Sequence, residues 1–305
     1  MPAASDHQMS SKATRHAVAK AARRAVRTLM DRFLQWLEKL AAPHADFVES
    51  THQLRVTSRR ADVALRVFKD WLPHDARKTL RRTLKEIRFD AGIVRDLDLL
   101  ELQWQPSQGK FAGQATTAVT VWMHGQILNQ REQARRELVH WTHKSTRARL
   151  KRRSQSLVRR IKQRKGESAA ANLAAALQAI IERLQKLLPE TSSSLHDSHQ
   201  TRIAARHLRY ALELLRPFLG GEVTAISKLL TQLQDHLGAI NDEATAIQHL
   251  MTMMETCHEP QLLPELQQQL ERMQLLAAER LADWTTDMPD RIQQIEEKLL
   301  TLRVS

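Results

Sequence analysis

Two stretches of the chain carry histidine and arginine at the spacing of successive helical turns. In the first, His52, Arg55 and Arg59 are three and four residues apart, and Arg66 follows two turns later. Because a helix turns by about 100 degrees per residue, these side chains share one face. Such a face is a row of cations, which suits a polyanion.

The second half of the chain repeats this pattern. There, His199, Arg202, Arg206 and Arg209 form an equivalent row. A third row, on another predicted helix, consists of Lys78, Arg81, Lys85 and Arg88, with Arg95 near the same side. The two matched rows predict an internal duplication whose halves present positive charge to one shared place.

The charge of the whole chain agrees with this chemistry. It has 47 Lys and Arg against 34 Asp and Glu, a formal net charge of +13, which indicates a polyanion, a membrane surface or an acidic protein as partner. The stretch 144–165 has eleven Lys or Arg and no Asp or Glu. Residues 166–305 are acidic overall, so the arginines of the second row stand out against their surroundings.

Long helices must position these rows, because eight Gly and 4% aromatic residues are too few for short strands and tight turns. We therefore predict an all-α fold. Apolar residues at spacings of three and four predict helices at about 14–40, 46–71, 75–102, 111–140, 168–188, 194–218, 223–255 and 262–300, with a less regular helix in 144–165. Residues 1–12 are predicted to be disordered.

Several residues mark the predicted helix ends. Asp46 and the run Ser192–Ser194 are expected to cap the helices that follow them. Proline and glycine separate the helices, and Met288-Pro289 is expected to kink or split the last one.

A glycine motif also occurs in both halves. Gly92 and Gly238 lie inside predicted helices, where glycine costs about 1 kcal/mol relative to alanine. Their matching places indicate a steric reason, such as a close helix crossing, although a merely tolerated glycine is the alternative. Asp96 and Asp242 follow them and would repel phosphate, so we predict that each holds an arginine side chain. Asp96 with Asp98 could instead chelate a divalent ion.

Together these motifs resemble the CHAD domain, the conserved histidine alpha-helical domain. The matching positions are His52, Leu54, Arg55, Val56, Arg59 and Arg60, then Gly92, Arg95, Asp96 and Asp98, then His199, Arg202, Ile203, Leu208, Arg209 and Tyr210, then Gly238, Asn241 and Asp242. The resemblance implies two four-helix bundles related by a pseudo-twofold axis. It also implies binding of inorganic polyphosphate in a basic groove or pore between them. The domain would span 13–305, with halves at about 13–143 and 166–305 joined by the basic linker helix.

The chain also departs from the family pattern. Asp62 and His207 stand where basic residues are frequent, Thr201 replaces a leucine, and Thr231 is the counterpart of Lys85. Arg206 stands where lysine is common. The second-half surface is therefore expected to bind an anion less strongly than the first.

Polyphosphate needs a track of cations, in which arginine grips two oxygens with its planar fork and lysine acts as a point charge. The residues expected to contribute most are Arg55, Arg59, Lys85, Arg88, Arg202 and Arg206, flanked by Arg60, Lys78, Arg81, Arg95 and Arg209. For any one of them, the alternative is a solvated surface charge.

His52 and His199 have three interpretations. They lack His or acidic neighbours at metal-ligand spacing, which disfavours a metal site. They could donate to phosphate, more strongly when protonated. Otherwise each ring is structural and bonds a neighbouring helix.

Motifs for catalysis and cofactor binding are missing from the sequence, which has no phosphate-binding loop and no His-Glu-x-x-His. Lone Cys257 is expected to fill core space. No apolar run approaches the roughly 18 residues of a membrane span, and the N-terminus lacks a signal core. We expect a cytoplasmic, stand-alone CHAD protein, not an enzyme, without cofactor or metal, associated with polyphosphate granules. Alternatives are a nucleic-acid binder, and a phosphate-handling hydrolase or its regulatory partner.

Overall fold

The structure, a computed structural model, describes residues 3–104, 118–161, 169–188, 195–220, 223–300 and 302–304. Within these ranges the chain forms nine α-helices: α1 Ala3–Leu40, α2 Phe47–Val67, α3 His74–Trp104, α4 Ala118–His140, α5 Lys144–Arg159, α6 Ala169–Leu187, α7 Leu195–Leu215, α8 Val223–Glu255 and α9 Leu263–Leu300. Short 3₁₀ helices lie at Lys69–Trp71, Arg216–Phe218 and Pro260–Leu262. The predicted all-α class is confirmed.

Local signals explain several of these boundaries. The side chain of Asp46 accepts a hydrogen bond from the Glu49 backbone N–H at 2.9 Å, so the predicted N-cap of α2 is confirmed. Helix α1 ends shortly before Pro43, and α3 starts directly after Pro73. The predicted cap at Ser192–Ser194, the helix start near 111 and linker residues 162–165 lie outside the described residues.

The structure differs from two predictions about helix ends. Helix α1 begins at Ala3, earlier than the predicted start at about 14, and residues 3–13 contain no Pro or Gly to interrupt it. Helix α9 runs through Met288-Pro289 without a break, so the predicted split is wrong, while the alternative of a kink stays a prediction. Buried side chains on both sides of the proline, such as Leu266 and Leu299, hold its two ends against the core.

The helices pack as two consecutive sets. In the first half, α1 packs on α2, α2 on α3 and α3 on α4, while α5 lies against α1 and α3. In the second half, α6 packs on α7, α7 on α8 and α8 on α9. The halves meet through α2 with α7, α1 with α6 and α2 with α6. The helices that carry the two matched cationic rows are therefore in direct contact.

A continuous apolar core runs through both halves and positions α2 and α7. Leu54 of α2 and Leu208 of α7 are fully buried in it, which fixes the rotation of each helix and leaves the arginine faces toward the contact between the halves. A two-residue antiparallel strand pair, which was not predicted, joins β1 Leu219–Gly220 to β2 Arg303–Val304. It ties the end of α7 to the chain after α9.

None of the helices in the described ranges is both long enough and apolar enough to cross a bilayer.

Candidate anion-binding site

Four arginines meet where α2 and α7 touch. We call Arg55 and Arg59 of α2 with Arg202 and Arg206 of α7 the central arginine cluster. Burial, followed by Arg206 and Arg55, lowers the pKa of Arg59 to about 8. Burial, followed by Arg202, lowers the pKa of Arg206, which is only 9% exposed, to about 10. The arginines of the two halves therefore converge on one place.

Arginine keeps its proton at neutral pH, so the lowered pKa values describe repulsion among cations that are removed from water. Among the described residues, no carboxylate forms an ion pair with Arg59 or Arg206. An anion entering the cluster would relieve this repulsion.

The two other arginines of the cluster lie beside the predicted aspartates. Arg55 Nη1 donates to Asp96 Oδ1 at 3.1 Å and to the Gly92 carbonyl at 3.4 Å. Burial lowers the pKa of Arg202, while Asp242 is the strongest influence raising it. Asp96 and Asp242 thus each stand next to one arginine.

The predicted close helix crossing does not explain the two glycines, and that prediction is wrong. A Cβ on Gly238 would lie 3.5 Å from Arg202 Nη2, and a Cβ on Gly92 would meet nothing within 4 Å. Because the nearest neighbour is an arginine side chain in one case and open space in the other, no backbone crossing requires either glycine.

Arg88 continues the positive charge beyond the cluster. Burial lowers its pKa, with further lowering by Arg66, Arg81 and Arg55 and an opposing effect of Asp62. Asp62, whose side chain is 5% exposed, accepts from Arg81 Nε at 2.7 Å and from Arg66 Nε at 2.9 Å. Arg81 is therefore committed to a buried carboxylate, as is Arg66.

The other end of the α2 and α7 rows is partly neutralised. Arg60 and Arg209 both pair with Glu213, at 3.3 Å and 2.8 Å, and both stack on the ring of Tyr210. Sequence reasoning counted these arginines as flanking cations and missed Glu213. The i,i+4 spacing of Arg209 and Glu213 was the available signal.

The two histidines differ in environment. His199 Nδ1 lies in hydrogen-bond contact with the side-chain oxygen of Asn241 on α8, which favours the structural interpretation for this residue. His52 is exposed, and burial of part of its ring, followed by Arg95, lowers its pKa. Lys78 and Lys85 are exposed on α3. The described residues contain no group of three or more His, Cys, Asp or Glu that could hold a metal ion.

Comparison with known families decides what kind of domain this is. The model of the CHAD domain matches residues 24–251. The chain belongs to the CHAD domain family. No curated protein matches its sequence. Solved structures that share its fold include the following two. The CHAD domain from the plant Ricinus communis has a TM-score of 0.67 and 19% identity, covering 94% of this chain and 92% of that one. PptA from Streptomyces chartreusis has a TM-score of 0.69 and 16% identity, covering 92% and 99%.

Within this CHAD domain, Asp98 is part of the scaffold. It is 1% exposed on its side chain, and its Oδ1 accepts from Arg131 at 2.7 Å and from Arg135 at 3.2 Å. The alternative that Asp96 and Asp98 chelate a divalent ion is not supported, because each faces arginine.

The structure also shows the surroundings of the residues that depart from the CHAD pattern. Thr201 is buried and donates to the Leu187 carbonyl at 3.2 Å, which joins α7 to α6. Thr231 is exposed and donates to the Ser227 carbonyl of its own helix, so no cation matches Lys85 there. Asp62 organises Arg66 and Arg81, as described above. His207 lies close to Arg66, Arg183 and Arg206.

Proposed function

We propose that this CHAD domain binds inorganic polyphosphate along the central arginine cluster. The observation that carries the proposal is the convergence of four arginines from both halves, two of which have no paired carboxylate among the described residues. Polyphosphate carries about one charge per phosphate and no bases, so a track of arginines is what it requires. The family resemblance implies the same ligand.

The magnitude of each contact supports tight binding. A charge-assisted hydrogen bond contributes about 1.5 to 3 kcal/mol, less where salt screens it. Part of the repulsion within the cluster is also relieved when the anion binds. Arg88 extends the track from Arg55 toward Arg66 and Arg81, so an elongated anion contacts more cations than a single phosphate does.

The titration of a long polyphosphate tests this assignment. Replacing Arg55, Arg59, Arg202 and Arg206 by Ala should weaken binding by about a hundredfold or more at constant salt, with helix content unchanged by circular dichroism. The matched control replaces Arg149, Lys151, Arg152 and Arg153, which are exposed on α5. It removes the same charge and should weaken binding by about fivefold or less. Equal weakening of both variants would show that only bulk charge matters.

We further infer that the domain binds polyphosphate without cleaving it. The cluster consists of guanidinium groups, which are poor nucleophiles and bases, and Cys257 is partly buried against the core. Incubation of the pure protein with polyphosphate and Mg²⁺ should release no phosphate. Release that disappears with the four-arginine variant would instead support a hydrolase.

A second candidate function, nucleic-acid binding, is favoured by α5. This helix buries Leu150, Leu157 and Val158 and leaves most of its cations exposed. Tyr210, which influences Arg59 and Arg206 of the central arginine cluster, is 4% exposed and so offers no stacking surface for a base. Single-stranded RNA at equal phosphate concentration should therefore fail to displace polyphosphate. Displacement would favour the nucleic-acid function.

A protein that binds polyphosphate is expected where polyphosphate accumulates in the cell. We expect a cytoplasmic protein that associates with polyphosphate granules. A fluorescent fusion should colocalise with the granules, and the four-arginine variant should be diffuse. Granule association of that variant would show that another surface is responsible.

A further inference from the structure

A second cationic surface lies between the two halves. It is a cavity of about 290 Å³ between α2, α3, α6 and α7. Its basic lining consists of Arg66, Lys69, Arg77, Arg81, Arg183 and His207, and small apolar side chains such as Val63 and Ala204 complete it. We call it the interhalf pocket. It is at the small end of the range of ligand pockets, about 300 to 1,000 Å³, so it suits a compact anion.

The carboxylates of Asp62 and Asp70, near the interhalf pocket, already interact with its basic side chains. Asp62 is buried and shared by Arg66 and Arg81, so it fixes the position of both guanidinium groups. Asp70 opposes the effects of burial and Arg81 on the pKa of Arg77. Among the described residues, these two carboxylates against five charged Arg and Lys side chains leave the pocket positive near pH 7, and Asp62 makes part of its lining rigid.

The groove at the corresponding place on the other side of the α2–α7 contact has different chemistry. The motif alignment equates His207 with Arg60 and Arg66 with Glu213. The second groove, of about 740 Å³, is lined by Arg60, Glu213, the exposed cations Lys20 and Arg24, and mainly apolar residues including Phe218. There the arginine is paired with glutamate at 3.3 Å. The second groove thus has three cations, one of them paired, in a mainly apolar lining, whereas the interhalf pocket has five Arg and Lys side chains.

The interhalf pocket also adjoins the central arginine cluster. His207 is influenced by Arg66 and Arg183 of the pocket and by Arg206 of the cluster. On the other side, Arg88 lies within range of Arg81 and of Arg55. The track of cations from the cluster therefore leads into the pocket.

We propose that the interhalf pocket binds a compact run of phosphates, either the end of a polyphosphate chain or a free oligophosphate such as tripolyphosphate. This inference rests on the proposed function in so far as the pocket adjoins the track. It gives the molecule polarity, since the interhalf pocket offers more cations to a chain end than the second groove does. A polyphosphate chain whose end lies in the interhalf pocket therefore runs from the pocket along the central arginine cluster, in one direction only.

The pKa of His207 should report whether an anion occupies the interhalf pocket. In the free protein, burial together with Arg66, Arg183 and Arg206 lowers its pKa to about 4, against an opposing effect of Asp62. A phosphate among these cations adds negative charge and stabilises the protonated ring. Binding of tripolyphosphate should therefore raise the pKa of His207, as followed by NMR of its ring protons.

Affinity measurements separate the pocket from the cluster. The variant Arg77→Ala/Arg183→Ala should weaken tripolyphosphate binding by about tenfold or more. Its control, Arg149→Ala/Arg152→Ala on exposed α5, should stay within about twofold. The four-arginine variant should keep most tripolyphosphate affinity while losing that for the long chain. If the long chain instead binds that variant normally, the proposed function fails while the pocket stands.

Chains with capped ends distinguish the two sources of phosphate. Weaker binding of a capped chain than of an uncapped one, with competition by tripolyphosphate, assigns the pocket to chain ends. Equal binding of the two chains, together with the loss of tripolyphosphate affinity in the pocket variant, assigns it to free oligophosphate. Unchanged tripolyphosphate binding in the Arg77→Ala/Arg183→Ala variant, with no shift in the pKa of His207, would overturn the proposal.

Discussion

Arg59 of α2 and Arg206 of α7 lie together at the contact between the two halves, and after burial Arg206 is the strongest influence lowering the pKa of Arg59. The motif alignment equates these two residues. Two largely buried cations that repel each other are unfavourable unless something else requires them, because burial weakens their solvation and repulsion adds to that cost. The proposed anion would offset that cost.

Asp62 is predicted to stabilise the fold and weaken anion binding in the interhalf pocket. Burial raises its pKa, but Arg66 and Arg81 prevail and the pKa is lowered. Asp62→Asn should therefore reduce the free energy of unfolding by about 2 to 3 kcal/mol, since two buried charge-assisted bonds are lost. The same variant should bind tripolyphosphate more tightly. Chemical denaturation and titration measure the two effects.

The control for this variant is Asp75→Asn, whose side chain is fully exposed at 100%. It should change stability by about 0.5 kcal/mol or less. A similar small change for Asp62→Asn would mean that the shared carboxylate contributes little to the fold.

His207 makes the stability of the protein depend on pH. Its pKa of about 4 in the folded protein lies below the ordinary value of about 6.5. The unfolded chain thus binds more protons between these values, so stability is fully present above about pH 6.5 and is lost as the pH falls toward 4. After allowance for solvent screening, the loss is about 2 kcal/mol.

Urea denaturation between about pH 7 and pH 4.5 tests this dependence, because most carboxylates remain charged there. His207→Gln should flatten the decline on the acid side. An unchanged slope in that variant would assign the pH dependence to other histidines such as His249, whose pKa burial also lowers.

Gly92→Ala is predicted to stabilise the protein. A Cβ there meets nothing within 4 Å, and the carbonyl that accepts from Arg55 is retained. The helix should gain about 0.5 to 1 kcal/mol, with polyphosphate affinity unchanged within about twofold. Gly125→Ala in α4 also enters open space and is the matched control. A loss of stability at Gly92 alone would show that Arg55 requires the glycine.

Local sequence signals predicted much of the fold. The bounds of α8, Val223–Glu255, agree with the prediction, because Gly220-Gly221 precedes the helix and an uninterrupted apolar spacing runs through it. The N-cap at Asp46 and the neighbourhood of Asp96 and Arg55 followed from residue type and place. The start of α1 did not, since helix propensity without an apolar pattern was not counted as a helix.

The ion-pair partners of Arg60 and Arg81 could not be predicted from the sequence, because they lie on helices other than those of the two arginines. Spacing placed Arg81 on a cationic face and the family motif added Arg60 as a flanking cation, but neither gave information about the side chains opposite them. Glu213 reaches Arg60 from the other half, and Asp62 on α2 reaches Arg81 on α3. The interhalf pocket needs residues from four helices, so no single motif indicated it. The internal duplication itself remains a prediction.

A double-mutant cycle on polyphosphate binding tests most directly whether both halves hold one anion. The single variants Arg59→Ala and Arg206→Ala should each weaken binding, and the double variant should lose less than the product of the single losses, by about threefold or more. The reason is that binding relieves the repulsion between the two arginines only when both are present. Arg59→Ala with Arg152→Ala, on exposed α5, is the control pair and should show independent effects. Losses at Arg59 and Arg206 that multiply to within about twofold would contradict a shared ligand.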